Sequence, residues 1–239
     1  MALVKFQNVV FLSILGLLSA CSEAPKEPTP PASTSKATPL PVSPEPAKSV
    51  DDDGRPVIVA FGDSLSAGFG LEAGQSFPDQ LQNLINAKNL KYRVVNQGIS
   101  GDTTSGGVAR IDQAVALKPK IVLLELGGND GLRGIPVANI RKNLDTMIRR
   151  FKEAGATVVL VGITLPRNYG DDYIRGFEKN YSELAREHSL TYIPFLLDGI
   201  WTPTGGTPGM LQDDGIHPTA KGTPVMAATV FKKIEKLLL

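Results

Sequence analysis

A serine, a histidine and an aspartate stand where they could together form a nucleophilic catalytic site. Ser64 lies in the stretch GDSLS (residues 62–66), directly after the apolar run PVIVAF. Asp214 and His217 lie three residues apart in DGIHP near the C-terminus. On a turn of that length the carboxylate can reach imidazole Nδ1, which leaves Nε2 free to accept the proton of a serine hydroxyl. The pattern predicts Ser64 as nucleophile, His217 as base and Asp214 as orienting acid.

Attack on an acyl carbon also requires hydrogen-bond donors for the oxyanion that forms. Gly98 follows the second predicted strand and can offer a backbone N–H without a side chain in the way. Asn129 follows the third predicted strand and can offer its amide, while the N–H of Ser64 would be a further donor. Gly and Asn are also ordinary turn residues. Their positions after successive strands favour Ser64, Gly98 and Asn129 as an oxyanion hole.

Other polar residues nearby are expected to have structural roles. Ser66 lies farther from the strand end than Ser64 and is interpreted as a hydrogen-bonding or packing residue. Asp63 and Asp130 should each bond nearby backbone N–H groups to hold their turns. His188, in AREHSL, should be a solvated residue at the end of a helix, and Asp213 is one residue too far from His217 to orient it.

The elements that must position these residues follow from the pattern of apolar runs. Five short runs rich in β-branched residues predict strands buried on both faces, at 57–61, 92–96, 121–126, 157–163 and 191–195. Amphipathic segments separate them, the clearest over 136–154. The alternation predicts an α/β domain, a three-layer α/β/α sandwich with a five-stranded parallel sheet. The polar clusters after the strands should then meet at one edge of the sheet.

Capping residues predict where two of the helices begin. Ser76 and Asp79 have the spacing of a capping box before the segment 77–87. Thr223 is predicted to cap a C-terminal helix, with Pro224 at its first position.

The first 55 residues differ from the rest in composition. Residues 9–18 form an apolar stretch that is too short to span a bilayer and typical of a signal-peptide core. The only cysteine, Cys21, follows in LSAC, which resembles the lipobox of bacterial lipoproteins; a plain secretory signal is the alternative. Residues 22–50 contain eight prolines and no aromatic residue, which predicts a disordered tether.

These observations predict a signal peptide over 1–20, a lipidated Cys21 with a tether over 21–55, and a catalytic domain over 56–239. The lipobox resemblance implies an exported protein anchored by lipid to the outer membrane and facing the periplasm. The net charge of +1, from 25 basic and 24 acidic residues, gives no reason to expect nucleic acid as a partner. A metal or other cofactor is not expected, since His or Cys clusters are missing and GFGLEAG (68–74) departs from the dinucleotide fingerprint. The protein is expected to be a monomer.

The blocks GDSLS, NQG (96–98), GGND and DGIHP resemble, in order, those of the SGNH (GDSL) hydrolases. GISGDTTSGGVARI, ELGGNDGLRG and LPRNYGDDY are similar to the subgroup of thioesterase I/protease I/lysophospholipase and bacterial arylesterases, across nearly all of 56–235. The resemblance implies a flavodoxin-like strand order and a serine esterase. Its substrates would be acyl esters and thioesters, such as aryl esters and lysophospholipids. It also implies the roles given above to Ser64, Gly98, Asn129, Asp214 and His217.

Two other functions stay open at this point. One is a carbohydrate O-acetylesterase of the same fold, and the other is a noncatalytic lipoprotein that binds lipid or glycan at a surface. The intact set of Ser64, Asp214 and His217 favours an enzyme over the second. The segments LPRNYGDDY and WTPTGGTPGML are expected to border the substrate pocket, with Trp201, Met210 and Leu211 either touching an acyl chain or packing under a loop.

Overall fold

A five-stranded parallel sheet forms the centre of the computed structural model, which describes residues 53–202 and 205–239. Its strands are β1 (Val57–Gly62), β2 (Arg93–Asn96), β3 (Ile121–Glu125), β4 (Thr157–Val161) and β5 (Thr191–Ile193). They lie in the order β2-β1-β3-β4-β5, and every neighbouring pair is parallel. This is the flavodoxin-like order. The predicted fold class is therefore confirmed, with strand ends that differ from the predictions by a few residues.

Seven helices surround the sheet in the described part of the chain. They are α1 (Ser64–Ala67), α2 (Phe77–Ala87), α3 (Thr104–Ala116), α4 (Gly128–Leu132), α5 (Val137–Glu153), α6 (Asp171–Glu187) and α7 (Thr223–Ile234). The helices α2 and α7 pack together on one face, while α3, α5 and α6 pack on the other. The result is the predicted three-layer sandwich.

The central strands are buried on both faces because their apolar residues do not alternate with polar ones. In β1, Val59 and Phe61 pack toward α3, α5 and α6, whereas Ile58 and Ala60 pack toward α2 and α7. The predicted apolar stripe of α5 faces the first of these cores, with Ile140, Leu144, Met147, Ile148 and Phe151 fully buried. Such burial stabilises the domain by about 1.5–3 kcal/mol for each large apolar side chain.

One of the two predicted helix starts is confirmed and the other is wrong. The Ser76 hydroxyl accepts from the Asp79 N–H, and the Asp79 carboxylate accepts from the Ser76 N–H, which completes the capping box of α2. In α7 the capping position belongs to Gly222, and Thr223 is already helical. The Thr223 hydroxyl instead donates to the carbonyl of Gln75 at 2.7 Å, which ties α7 to the loop before α2.

A short antiparallel pair, β6 (Trp201–Thr202) with β7 (Gly205–Gly206), lies in the loop after β5 and was not expected from the sequence. Each strand has only two residues and β7 consists of two glycines, so neither periodicity nor propensity gave a signal for the pair. The pairing places Trp201 at the carboxyl edge of the sheet, beside the site described below.

The predicted signal peptide (1–20), Cys21 and all but the last three residues of the predicted tether lie outside the described residues. Across 53–202 and 205–239, none of the helices is both long and apolar enough to cross a membrane.

Candidate active site

Ser64 is placed at the carboxyl edge of the sheet by an abrupt change from strand to helix. β1 ends at Gly62, and Ser64 is already the first residue of α1. Asp63 caps this helix, its Oδ1 accepting from the Leu65 N–H at 3.0 Å. The helix ends at Gly68, whose φ of 80° is favoured by glycine. The small residues in AFGDSLSAGFG thus allow a one-turn helix that presents the Ser64 hydroxyl.

The structure brings together the three residues predicted as nucleophile, base and acid. Ser64 Oγ lies 2.8 Å from His217 Nε2, although the two residues are far apart in the chain. His217 Nδ1 lies 2.6 Å from Asp214 Oδ2. This arrangement lets the imidazole remove the hydroxyl proton while the carboxylate fixes its orientation.

The turn from Asp214 to His217 is held by the same carboxylate that contacts the ring. Asp214 Oδ1 accepts from the backbone N–H groups of Ile216 and His217, each at 2.9 Å. Burial raises the pKa of Asp214, but the hydrogen bonds from the His217 ring and from these two N–H groups outweigh it and hold the pKa below its usual range. Asp214 is therefore ionised at neutral pH and holds the ring with Nδ1–H facing the carboxylate.

Asn129 lies at the start of α4, beside the predicted nucleophile. Its Nδ2 donates to Asp63 Oδ2 at 3.2 Å, which leaves its second amide hydrogen for a ligand. Both Asn129 and Ser64 line the same cavity. The backbone N–H of Ser64, at the start of α1, belongs to the helix-terminal donors that lack an intrahelical acceptor. The geometry therefore suits the predicted donor roles of Asn129 and Ser64.

Gly98 does not occupy the place predicted for it. Its backbone N–H already donates to Asn96 Oδ1 at 2.9 Å. A side chain at this position would collide with the backbone of Ser66 and Ala67, so glycine is needed here for close packing against α1. Gly98 is not one of the described residues that line the cavity. The assignment of Gly98 as an oxyanion donor is therefore wrong in this structure.

Gly101, three residues later in the same loop, fits that role better. It lines the cavity, and its backbone N–H has no acceptor among residues 53–202 and 205–239. Its carbonyl accepts from Arg133 at 3.1 Å, which helps to fix the peptide plane. Its φ of 79° is the left-handed conformation that favours glycine. The sequence signal was the second glycine of GISGDT, but periodicity could not show which N–H faces the cleft.

A buried carboxyl group behind the nucleophile was not predicted. Glu125 ends β3, and its Oε2 accepts from the Ser66 hydroxyl at 2.8 Å and from the Asp63 N–H at 3.3 Å. Burial, followed by the nearby charge of Asp63, raises the pKa of Glu125 well above its usual value. Burial also raises the pKa of Asp63, to about 6. Ser66 is thus a hydrogen-bonding residue as interpreted, and its partner supports the turn that carries Ser64.

Two of the structural roles expected from the sequence were wrong. Asp130 accepts from the N–H and the hydroxyl of Thr104, at 2.8 and 2.6 Å, and so joins α4 to α3 instead of holding its own turn. His188 ends α6, but its side chain is only 12% exposed and lies 2.6 Å from Asp145 Oδ1. Since His188 precedes β5, it stands at the amino edge of the sheet, opposite the predicted site.

An apolar cavity of about 260 Å³ opens at Ser64, Asn129 and His217. Its wall is mostly aliphatic and aromatic: Leu132, Ile163, Leu165, Pro166, Phe195, Leu197 and Trp201. Both segments expected to border the pocket contribute, through Leu165, Pro166 and Trp201. Met210 and Leu211 instead pack against the core. Their alternative interpretation, packing under a loop, is therefore the correct one.

The sequence matches the GDSL-like lipase/acylhydrolase family over residues 60–223. The chain belongs to this family. This GDSL hydrolase is 42% identical to esterase TesA of Pseudomonas aeruginosa over 182 residues, which cover 76% of the chain and 89% of TesA. It is 37% identical to thioesterase 1/protease 1/lysophospholipase L1 of Escherichia coli over 183 residues, 76% of this chain and 84% of that protein. The family match and the esterase and lysophospholipase names of these relatives identify the GDSL hydrolase as a serine ester hydrolase.

Solved structures agree with the fold of the GDSL hydrolase. The crystal structure of TesA matches with a TM-score of 0.72 at 42% identity and covers 76% of this chain and 99% of the TesA chain. AlinE4, an SGNH-hydrolase family esterase, matches with a TM-score of 0.63 at 35% identity, over 77% of this chain and 97% of its own.

The proposed donor Asn129 gives the first testable prediction. Asn129→Ala should lower kcat for a p-nitrophenyl ester by about 10²–10³-fold with little change in KM, since the donor acts mainly in the transition state. Steady-state kinetics measure both constants. Asn139→Ala, an exposed asparagine on α5, serves as the control and should leave both unchanged. A raised KM with normal kcat at Asn129 would limit its role to substrate binding.

Proposed function

We propose that the GDSL hydrolase cleaves aryl esters and single-chain lipid esters, lysophospholipids among them, through an acyl-enzyme on Ser64. The observation that carries this proposal is the hydrogen-bonded series Ser64–His217–Asp214 at the mouth of an apolar cavity. The polar groups supply the chemistry, and the aliphatic wall suits an acyl chain. The esterase, arylesterase and lysophospholipase names of the relatives support the same substrate class.

The reaction follows from the positions of the polar groups. Ser64 Oγ attacks the ester carbonyl carbon while His217 Nε2 takes the hydroxyl proton. The carbonyl oxygen becomes an oxyanion, which accepts from the N–H groups of Ser64 and Gly101 and from Asn129 Nδ2. When the C–O bond breaks, the alcohol leaves with the proton from His217. Water then attacks the acyl-enzyme with His217 as base, which releases the fatty acid and restores the Ser64 hydroxyl.

The apolar wall predicts how the rate depends on acyl chain length. Each buried methylene contributes about 0.8 kcal/mol, or roughly fourfold in kcat/KM. The value of kcat/KM should therefore rise from p-nitrophenyl acetate toward medium chains and level off once the chain leaves the cavity. Leu165→Ala should flatten the series, because the Leu165 side chain is buried and lines the wall. Leu190→Ala, a partly buried leucine just before β5, is the control.

An acetylated polysaccharide assayed beside the ester series separates the proposal from its alternative. A steep preference for the polysaccharide, with no gain along the ester series, would favour a carbohydrate O-acetylesterase. Stoichiometric labelling of Ser64 by an organophosphate is expected in either case, and its absence would point to a noncatalytic binding protein.

We propose further that the protein is exported and held by lipid on Cys21 at the outer membrane, on the periplasmic side. The support is the sequence LSAC after an apolar stretch, followed by a proline-rich segment. Export would separate the enzyme from cytoplasmic acyl-CoA and place it beside membrane lipids.

The anchoring proposal predicts that Cys21→Ser abolishes labelling of the protein by radioactive palmitate in cells. Ser64→Ala is the matched control, because an acyl-enzyme on Ser64 could itself carry the label. The Ser64→Ala protein should keep the label and the Cys21→Ser protein should lose it. Equal labelling of wild type and Cys21→Ser would contradict a lipidated Cys21.

A further inference from the structure

Most of the exposed large apolar side chains in the described residues lie in loops at one edge of the sheet. In residues 53–202 and 205–239 there are four of them: Phe69 (49% exposed), Ile99 (49%), Ile216 (39%) and Leu239 (94%). Leu239 is the C-terminal residue. The other three, which we call the apolar rim, come from three loops at the carboxyl edge of the sheet. Single exposed apolar residues are ordinary, but a group of them beside an apolar cleft indicates an interaction surface.

The rim adjoins the opening of the active-site cavity. The Phe69 ring lies 4.6 Å from the His217 ring, centroid to centroid, and Ile216 directly precedes His217. Both Phe69 and Ile216 line the cavity. Ile99 stands just outside it: the next residues, Ser100 and Gly101, line the cavity, while the Ile99 N–H is fixed to the Gly62 carbonyl at 3.1 Å.

A dissolved ester held in the cavity would not cover Ile99, because Ile99 is not part of the cavity wall. An extended apolar phase in front of the opening would cover all three rim residues at once. Apolar groups gain free energy from entering such a phase in proportion to the area they bury. The continuity between an apolar rim and an apolar cavity also gives an acyl chain a path that avoids water.

We propose that the apolar rim of Phe69, Ile99 and Ile216 docks on a lipid surface, from which single-chain esters enter the cavity. The proposal rests on the proposed function, in that lipid esters are taken as substrates. The rim residues are uncharged, so docking does not require anionic lipid.

The test uses the chain from Asp51 to Leu239, which forms a compact unit and contains the whole of the family match, residues 60–223. Binding is measured by sedimentation with vesicles of phosphatidylcholine and lysophosphatidylcholine, in a Ser64→Ala background that leaves the lipid intact. Ile99→Ser should lower the vesicle partition coefficient roughly three- to tenfold. About half of the Ile99 side chain is exposed, and this is the effect expected when that apolar area is no longer buried in lipid. Leu239→Ser is the matched control, because this leucine is more exposed but lies outside the rim, and it should partition like the parent chain.

Activity of the otherwise unmodified chain separates docking from chemistry. Ile99→Ser should keep the parent kcat/KM on dissolved p-nitrophenyl acetate, which also shows that it folds, and lose activity on lysophosphatidylcholine in vesicles. Equal partitioning of the parent and Ile99→Ser would overturn the docking proposal, as would a parent dimer that Ile99→Ser dissociates. A parent chain that binds vesicles but cleaves neither ester would instead overturn the proposed function.

Discussion

Ser64→Ala should lower kcat for a p-nitrophenyl ester by about 10³–10⁶-fold. The Ser64 hydroxyl is the only one placed 2.8 Å from His217 Nε2 among the described residues, so its removal leaves the base without a nucleophile to activate. Residual activity would come from binding and from the oxyanion donors acting on attacking water. Burst kinetics should disappear together with organophosphate labelling, since both require the acyl or phosphoryl bond to Ser64.

Ser66→Ala is the matched control, because Ser66 lies only two residues away in the same motif. Its hydroxyl donates to Glu125 and is fully buried, so its loss should lower stability while kcat falls far less. Thermal unfolding and kcat measured on the same samples distinguish the two effects. Losses of similar size at both serines, with intact folding, would refute the assignment of Ser64.

The positions of Ser64, Asp214 and His217 could be predicted because their sequence signals are local. Asp214 and His217 are three residues apart, so a turn is enough to pair them. Ser64 follows a strongly apolar strand, and the end of such a strand fixes which edge of the sheet the serine occupies. Strand periodicity and parallel pairing were therefore sufficient to place Ser64 at the carboxyl edge, whereas its pairing with His217 was implied by the resemblance to the SGNH hydrolases.

The oxyanion loop could not be predicted to the same detail, since two glycines in GISGDT compete for one role. Gly98 and Gly101 differ in where their N–H groups point, and that depends on packing against α1 and on the hydrogen bond that the Gly98 N–H donates to Asn96 Oδ1. Neither contact is encoded within the loop itself. The role of Glu125 behind the nucleophile was not predicted for a similar reason. A single acidic residue at the end of a buried strand gives no periodic pattern in the sequence.

Loop side chains showed the same limit. Composition alone makes Trp201, Met210 and Leu211 equally suited to contact an acyl chain. Of the three, only Trp201 lines the cavity. Trp201 is part of the short β6–β7 pair, where it lies opposite Gly206. The glycines of β7 gave no sequence signal for a strand. The rim residues Phe69, Ile99 and Ile216 also lie in three separate loops, and only the assembled sheet edge brings them near one opening.

Asp214→Asn should lower kcat by about 10⁴-fold, as expected when the group that orients a catalytic histidine is lost. Asp214 Oδ2 accepts from His217 Nδ1, whereas an asparagine can donate its amide to Nδ1 and favour the tautomer with the proton on Nε2. That tautomer cannot accept the proton of Ser64. Asp213→Asn, at the exposed neighbouring position, removes the same charge and should leave kcat unchanged. Equal losses in the two variants would attribute the effect to the local charge.

The same interpretation predicts the sign of the pH dependence. His217 must be uncharged to accept a proton, so kcat/KM should fall as pH decreases. Asp214 stays ionised through this fall, because its hydrogen bonds outweigh burial and hold its pKa below the usual range. Two buried carboxyl groups behind the nucleophile also have raised pKa values: burial raises the pKa of Asp63 to about 6 and raises the pKa of Glu125 well above its usual value. In Asp63→Asn, kcat/KM should therefore still fall at acid pH. A value of kcat/KM in this variant that does not change with pH would show that Asp63, and not His217, is the group whose ionisation controls the rate.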